Sequence, residues 1–155
     1  MVFKLSFIIL IVLPVVFGLD GKQIVDYAVN QYRQLTKTIK IGTQYPSIGD
    51  PISSTWNFTK AAGADAGFGN SNWTAAFYPG VLWYLYNYTK SDELKTLSTE
   101  ATDGMYESQF ITGTHDIGFL IMCSYGNGYE FTKNESYPKI IANAANHLVT
   151  RYSRK

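Results

Sequence analysis

From Asp20 to Lys40 the positions Ile24, Tyr27, Ala28, Tyr32 and Leu35 return at intervals of three and four, the spacing of one face of an amphipathic helix. The pattern then dissolves. Residues 41–73 contain YPSIGDP and AAGADAGFGNSNW, with no sustained period of either 3.6 or 2, and predict a long irregular stretch with at most short structure of its own. Four helical stretches follow. Pro79 suits a helix N1 position, and Val81, Leu82, Leu85 and Tyr88 form a stripe that Lys90 ends. Ser91 reads as the N-cap of the next helix, with Asp92 and Glu93 in its first turn and Leu94 and Leu97 carrying it toward Tyr106, weakened at Gly104. A third opens at Thr114 and carries Ile117, Leu120, Ile121 and Ser124 until the pair Gly126 and Gly128 is expected to stop it. The fourth runs from Ser136 to Tyr152 with Pro138 in its first turn. Strand signals are poor throughout, so the expected class is all-α, helix pairs burying their stripes against one another.

The first residues, MVFKLSFIILIVLPVVFGLD, have a different pattern: one cation at Lys4, then an apolar run from Leu5 to Phe17. That run is shorter than the roughly 20 residues a spanning helix needs, and no charge cluster follows. It reads as a secretory signal peptide over residues 1–18, cleaved after Gly18, with no stable membrane anchor. A secreted or lysosomal location follows. Secretion gives meaning to the sequons at Asn57, Asn72 and Asn134, expected to carry glycan, and to a fourth at Asn87, which sits close behind the apolar VLWYLY. Cys123 is the one cysteine, so no internal disulfide can form, and its apolar surroundings FLIMCSY make it a buried, inert thiol.

A length of 155 residues leaves room for one domain, here residues 19–155. A net charge of +1 without any block of like charge supplies no field for a phosphate backbone, which excludes a nucleic-acid partner. Two histidines and one cysteine match no zinc spacing. Rings make up 15% of the chain, more than a small core needs, and some are expected to line a site.

Three ordered stretches resemble the unsaturated glucuronyl hydrolases of glycoside hydrolase family 88. Trp73-Thr74-Ala75-Ala76-Phe77-Tyr78-Pro79-Gly80-Val81-Leu82-Trp83 is similar to the family's W-x-x-G-F-W-P-G-x-L-W run, with Ala76 for the usual Gly and Tyr78 for the usual Trp. Thr114-His115-Asp116-Ile117-Gly118-Phe119 is similar to T-H-D-x-G-F, and Ser124 to Tyr152 resembles the helix pair that follows it. The resemblance implies helical hairpins of an (α/α)6 barrel, incomplete in this chain, since six hairpins need about 350 residues. On that basis the sequence reads as an N-terminal portion of such a domain.

The implied activity removes a 4-deoxy-4,5-unsaturated uronic acid from the nonreducing end of lyase-generated oligosaccharides, by hydration of its C4=C5 double bond and without metal or organic cofactor. The implied partner is an oligosaccharide with that terminal sugar. Asp116 is the implied catalytic residue, with His115, Trp73 and Tyr78 binding substrate. From the residues alone, Asp116 would lie in the first turn of the third helix, where the macrodipole favours a carboxylate that stabilises positive charge rather than donates a proton. Thr114-x-Asp116 is equally ordinary capping chemistry. His115 would point about 100° away around the helix. Trp83 and Phe119 read as core, and His147 as structural. The family's second catalytic aspartate has no counterpart: the carboxylates after Asp116 are Glu130 and Glu135, in the turn before the last helix. A secreted homologue that binds carbohydrate without turning it over is the alternative.

Overall fold

The computed structural model describes residues 20–50, 55–61 and 73–153. The expected signal peptide and the sequon at Asn72 lie outside the described residues. The chain divides into two compact units, one ending at Leu35 and one beginning at Thr36.

The first unit carries all but the last residue of α1 (Gly21–Thr36), a helix where the three- and four-residue spacing predicts one. Its start is a capping box: Asp20 Oδ1 accepts from the Gln23 amide at 2.8 Å, and Gln23 Oε1 accepts from the Asp20 amide at 3.2 Å. Lys22 and Asp26 form an ion pair one turn apart on its surface.

The second unit opens with a hairpin that sequence patterning does not predict. Strands β1 (Tyr45–Asp50) and β2 (Thr55–Thr59) pair antiparallel, with a register shift between Pro46 and Ile48. Thr55-Trp56-Asn57-Phe58-Thr59 does alternate polar and apolar, but over only five residues, and both rings stay exposed, so the alternation reports no buried face. A fully buried tyrosine anchors the hairpin instead: Tyr45 donates its hydroxyl to the Ala101 carbonyl at 2.8 Å. The close approach depends on Gly104, where a Cβ would lie 2.1 Å from the Gly42 carbonyl oxygen and 2.3 Å from the Tyr45 hydroxyl.

Helix α2 (Phe77–Thr89) starts two residues before Pro79. The proline therefore sits third rather than first, still within the turn whose N–H groups have no intrahelical acceptor. Lys90, left-handed at φ 56°, ends α2 and reverses the chain into α3 (Asp92–Asp103), whose N-cap is Ser91. The pair is locked in its interior, where the fully buried Trp83 donates Nε1–H to Thr102 Oγ1 at 2.8 Å. Packing is thus Trp83's role, as expected. α3 stops at Gly104 rather than Tyr106, and Tyr106–Phe110 forms a separate 3₁₀ turn.

The second hairpin departs from expectation in its first arm. Gly126 and Gly128 do not stop the helix: α4 (Ile117–Ile121) passes through a π-helical turn (Met122–Gly126) into α5 (Asn127–Thr132). Side chains bond the carbonyls of this irregular stretch. Ser124 Oγ donates to Leu120 O at 2.5 Å, and Asn127 Nδ2 donates to Cys123 O at 3.0 Å. Gly128 is a packing residue, since a Cβ there would lie 2.6 Å from the Tyr137 ring and 3.1 Å from the Trp83 indole. The second arm is α6 (Tyr137–Val149), with Ser136 at its N-cap. It is tied to the 3₁₀ segment and the loop beyond: Asn143 Nδ2 donates to Gln109 Oε1 at 3.0 Å, His147 Nδ1 lies 2.9 Å from Gln109 O, and Arg151 donates to Thr112 O at 3.0 Å. His147 is structural, as its position predicts.

Both hairpins turn on the same local chemistry, which the spacing analysis overlooks. Tyr86-Asn87-Tyr88-Thr89-Lys90 and Tyr129-Glu130-Phe131-Thr132-Lys133 each end on a left-handed lysine whose amide bonds the tyrosine carbonyl, at 2.7 and 2.8 Å. The threonine hydroxyls donate back four residues, to Leu85 O at 2.7 Å and to Gly128 O at 2.6 Å. The lysine ammonium lies 5.6 Å from the Tyr86 ring in one turn and 5.4 Å from the Tyr129 ring in the other. Between the hairpins lies a core of Leu82, Trp83, Leu94, Met105, Ile117, Leu120, Ile121 and Tyr125, all fully buried. Each such aliphatic side chain contributes about 1.5–3 kcal/mol. Among the described residues no helix is long and apolar enough to cross a membrane.

Candidate functional site

The start of α2 and the start of α4 lie side by side, and three aromatic rings meet there. Trp73 stands in the turn before α2, Phe77 is its first residue, and Phe119 belongs to the first turn of α4. Ring centroids are 5.6 Å apart for Trp73 and Phe77, 5.7 Å for Trp73 and Phe119, and 6.3 Å for Phe77 and Phe119. All three stay open to solvent, at 44%, 41% and 48% exposure. A contiguous, solvent-facing aromatic patch on a chain with a well-filled core is a candidate binding surface.

One helical turn before Phe119, Asp116 occupies the N-cap position of α4 rather than its first turn. Its carboxylate does not cap the helix. Oδ2 accepts from the hydroxyl of the buried Thr114 at 2.9 Å, and that same hydroxyl oxygen accepts from the Asp116 amide at 3.1 Å. Oδ1 lies 3.3 Å from His115 Nε2. Both carboxylate oxygens are therefore held, while the imidazole is largely exposed beside them. The 100° separation expected for His115 does not hold, because residues 115 and 116 precede the helix and the ring folds back onto the carboxylate.

Two other sequence expectations are corrected by burial. Tyr78, expected to face substrate, is a core residue at 3% exposure. Its hydroxyl lies 3.1 Å from Thr36 Oγ1, and its ring meets Tyr45 edge to face at 6.4 Å. Phe119, expected in the core, is half exposed and packs on Trp73. The site thus unites Trp73, His115 and Asp116 from the predicted set, omits Tyr78, and adds Phe77 and Phe119. The signal for Phe77 was its position at a helix entrance, beside Trp73 by one turn. Cys123 is only half-buried, and burial still pushes its thiol up from the usual range. Among the described residues no three His, Cys, Asp or Glu side chains converge to hold a metal ion.

No protein-family model matches the chain. Curated relatives do. An unsaturated glucuronyl hydrolase of Formosa agariphila is 34% identical over 85 residues, covering 54% of this chain and 21% of the relative. An unsaturated chondroitin disaccharide hydrolase of Streptococcus pyogenes serotype M1 is 32% identical over 90 residues, covering 56% and 22%. In three dimensions the chain is similar to the crystal structure of an unsaturated glucuronyl hydrolase specific for heparin, with a TM-score of 0.71 and 29% identity, over 84% of this chain and 32% of that one. The chain thus spans about a fifth of the curated relatives and about a third of the solved structure. That neighbour is an (α/α)6 barrel, and the helical hairpins described above are the part of such a barrel that this chain supplies. By sequence and by fold together, the chain is similar to unsaturated glucuronyl hydrolases, the enzymes of glycoside hydrolase family 88, over part of their length.

Proposed function

We propose that the chain acts on glycosaminoglycan-type oligosaccharides ending in a 4-deoxy-4,5-unsaturated uronic acid, as a hydrolase in which Asp116 is the catalytic carboxyl. The observation that carries this reading is the exposed Trp73–Phe77–Phe119 surface one helical turn from a carboxylate held on both oxygens. Ring faces take the apolar face of a sugar, and the exposed His115 is placed to bind the uronate or a neighbouring hydroxyl.

The reaction is a hydration. C4 gains a proton, and a water oxygen bonds to C5 as that water loses a proton. The hemiketal at C5 then opens at the ring oxygen, which leaves C1 a hemiacetal that releases the remaining sugar. A carboxylate fixed beside C5 stabilises the positive charge that develops there. The proton donor for C4 has to be a second group. No second carboxylate is hydrogen-bonded to the Thr114–His115–Asp116 cluster among the described residues, and Glu130 is engaged by Lys133 at 3.4 Å. That observation supports a second reading, in which the chain binds the unsaturated sugar without turning it over.

The absorbance of the conjugated double bond of an unsaturated chondroitin or heparin disaccharide separates the two. Decay with the wild-type protein that is abolished in Asp116→Asn supports catalysis. Binding without decay supports the second reading, and neither binding nor decay rejects both. We also propose a secreted glycoprotein, a reading supported by the apolar leader and by the exposed sequons at Asn57 and Asn134.

A further inference from the structure

A second surface, built from other elements, has the chemistry of a ligand site. Between the 3₁₀ segment and the outer side of α6 runs an open groove of about 600 Å³, within the size range of small-ligand sites. Its floor is rigid. Gln109 is buried and bonded at three points: Oε1 accepts from Asn143 at 3.0 Å, Nε2 donates to Tyr106 O at 3.0 Å, and its backbone carbonyl meets His147 at 2.9 Å. This network also fixes the Asn143 amide, whose Nδ2 gives one of its two hydrogens to Gln109. Its carbonyl oxygen is left without a protein partner among the described residues.

Two half-exposed rings form one wall. Tyr106 and Phe110 meet edge to face at 6.0 Å, and Phe110 is braced on another side by His147, again at 6.0 Å. Rings held this way lose little freedom when a ligand stacks on them. The opposite wall belongs to α6 and offers Lys139, Asn143 and Asn146. Lys139 is the charged group of the lining, forms no ion pair among the described residues, and has no carboxylate beside it in the groove. The combination of ring edges and faces, planar amides and one unneutralised ammonium matches a sugar bearing a carboxylate or sulfate.

We propose that this groove is a second, non-catalytic binding site for an anionic saccharide unit, with Lys139 pairing its acidic group and Phe110 its apolar face. The choice of a saccharide among anions rests on the reading of the Trp73–Asp116 site. The groove differs from that site in needing no double bond, because nothing in its lining does chemistry on one. It would hold an internal, saturated unit of the polymer.

The test titrates the full chain by calorimetry with a saturated glucuronate-containing tetrasaccharide, with the same tetrasaccharide after reduction of its carboxyls, and with an unsaturated chondroitin disaccharide. The proposal expects the saturated acidic probe to bind, and Phe110→Ala and the exposed-site change Lys139→Gln each to weaken it roughly fivefold or more. It also expects the reduced probe to bind as weakly to wild type as the acidic probe binds to Lys139→Gln. Trp73→Ala should leave this affinity where it was. Absence of saturated-probe binding, or binding that ignores Lys139→Gln, overturns the proposal, as does loss of that binding in Trp73→Ala. Failure of the first site is a separate result: the unsaturated disaccharide would not bind, or would bind without regard to Trp73.

Discussion

Gly128 and Trp83 show how single residues decide this packing. An alanine at 128 puts a methyl group into the Tyr137 ring and against the indole, so Gly128→Ala should destabilise by about 1–3 kcal/mol through overpacking. A urea titration reads this as a lower midpoint at unchanged slope. Trp83→Phe removes the donor to Thr102 and leaves a buried hydroxyl oxygen to find another, at a further cost of about 1–3 kcal/mol. Gly104→Ala is harsher, because the atoms in the way are backbone and a buried tyrosine hydroxyl. Its melt should fall further than that of Gly128→Ala, and equal stability of the two variants would contradict the described contact between the Gly42 turn and α3. On the surface, expression through a eukaryotic secretory route should yield a chain beginning near Leu19 with glycan at one or more of Asn57, Asn72 and Asn134. An N-terminus at Met1 together with no mass shift on deglycosylation would refute that reading.

The helices were legible from the chain because apolar residues recur along each at the helical period, although in α1 Ile24 and Tyr27 of that stripe stay exposed while Val29 and Leu35 are buried, and the third helical stretch continues past Gly126 and Gly128 to Thr132. What escaped were features whose signal is short or not periodic. The alternation of β2, Thr55-Trp56-Asn57-Phe58-Thr59, spans only five residues and leaves both rings exposed, and the hairpin's anchor is the single residue Tyr45. The glycines at 126 and 128 look like stops in isolation, yet the helix needs Gly128 small for two rings from other elements. The T-H-D-x-G-F and W-x-x-x-F-Y-P-G stretches lie at the two helix starts where the aromatic rings meet. Only the structure could tell which side of α2 faces out, exchanging Tyr78 for Phe77. The buried tyrosines that hold these elements together also set a pH limit. Burial pushes the phenols of Tyr45, Tyr125 and Tyr137 up from 10.0, and Asp103 adds to the effect in each. In the folded state they keep their protons where the unfolded chain would ionise. Their contribution to stability is therefore complete below pH 10.0 and lost as pH rises above it toward the folded values. Thermal melts should be flat from pH 7 to 9 and fall steeply above 10, and a melting temperature that held to pH 11 would contradict the burial of these rings.

At the scale of the whole molecule, two hairpins with a common turn chemistry present helix starts to one region, and the aromatic patch and Asp116 sit where those starts meet. The chain is an assembly of hairpin units similar to part of a barrel enzyme, and the aromatic patch proposed to bind substrate lies at the starts of α2 and α4. The half-buried Cys123, with its thiol raised by burial, should react slowly with a neutral-pH thiol reagent in the native state and quickly in denaturant. The most direct test of the central claim is calorimetric titration of an unsaturated uronyl disaccharide into wild type, Trp73→Ala and Phe119→Ala. All three rings are surface-exposed, so the variants should fold. The account predicts saturable binding by wild type and a loss of roughly tenfold or more in each variant. Equal affinity in all three proteins, or no binding by wild type, would show that the Trp73–Phe77–Phe119 surface does not hold the unsaturated sugar.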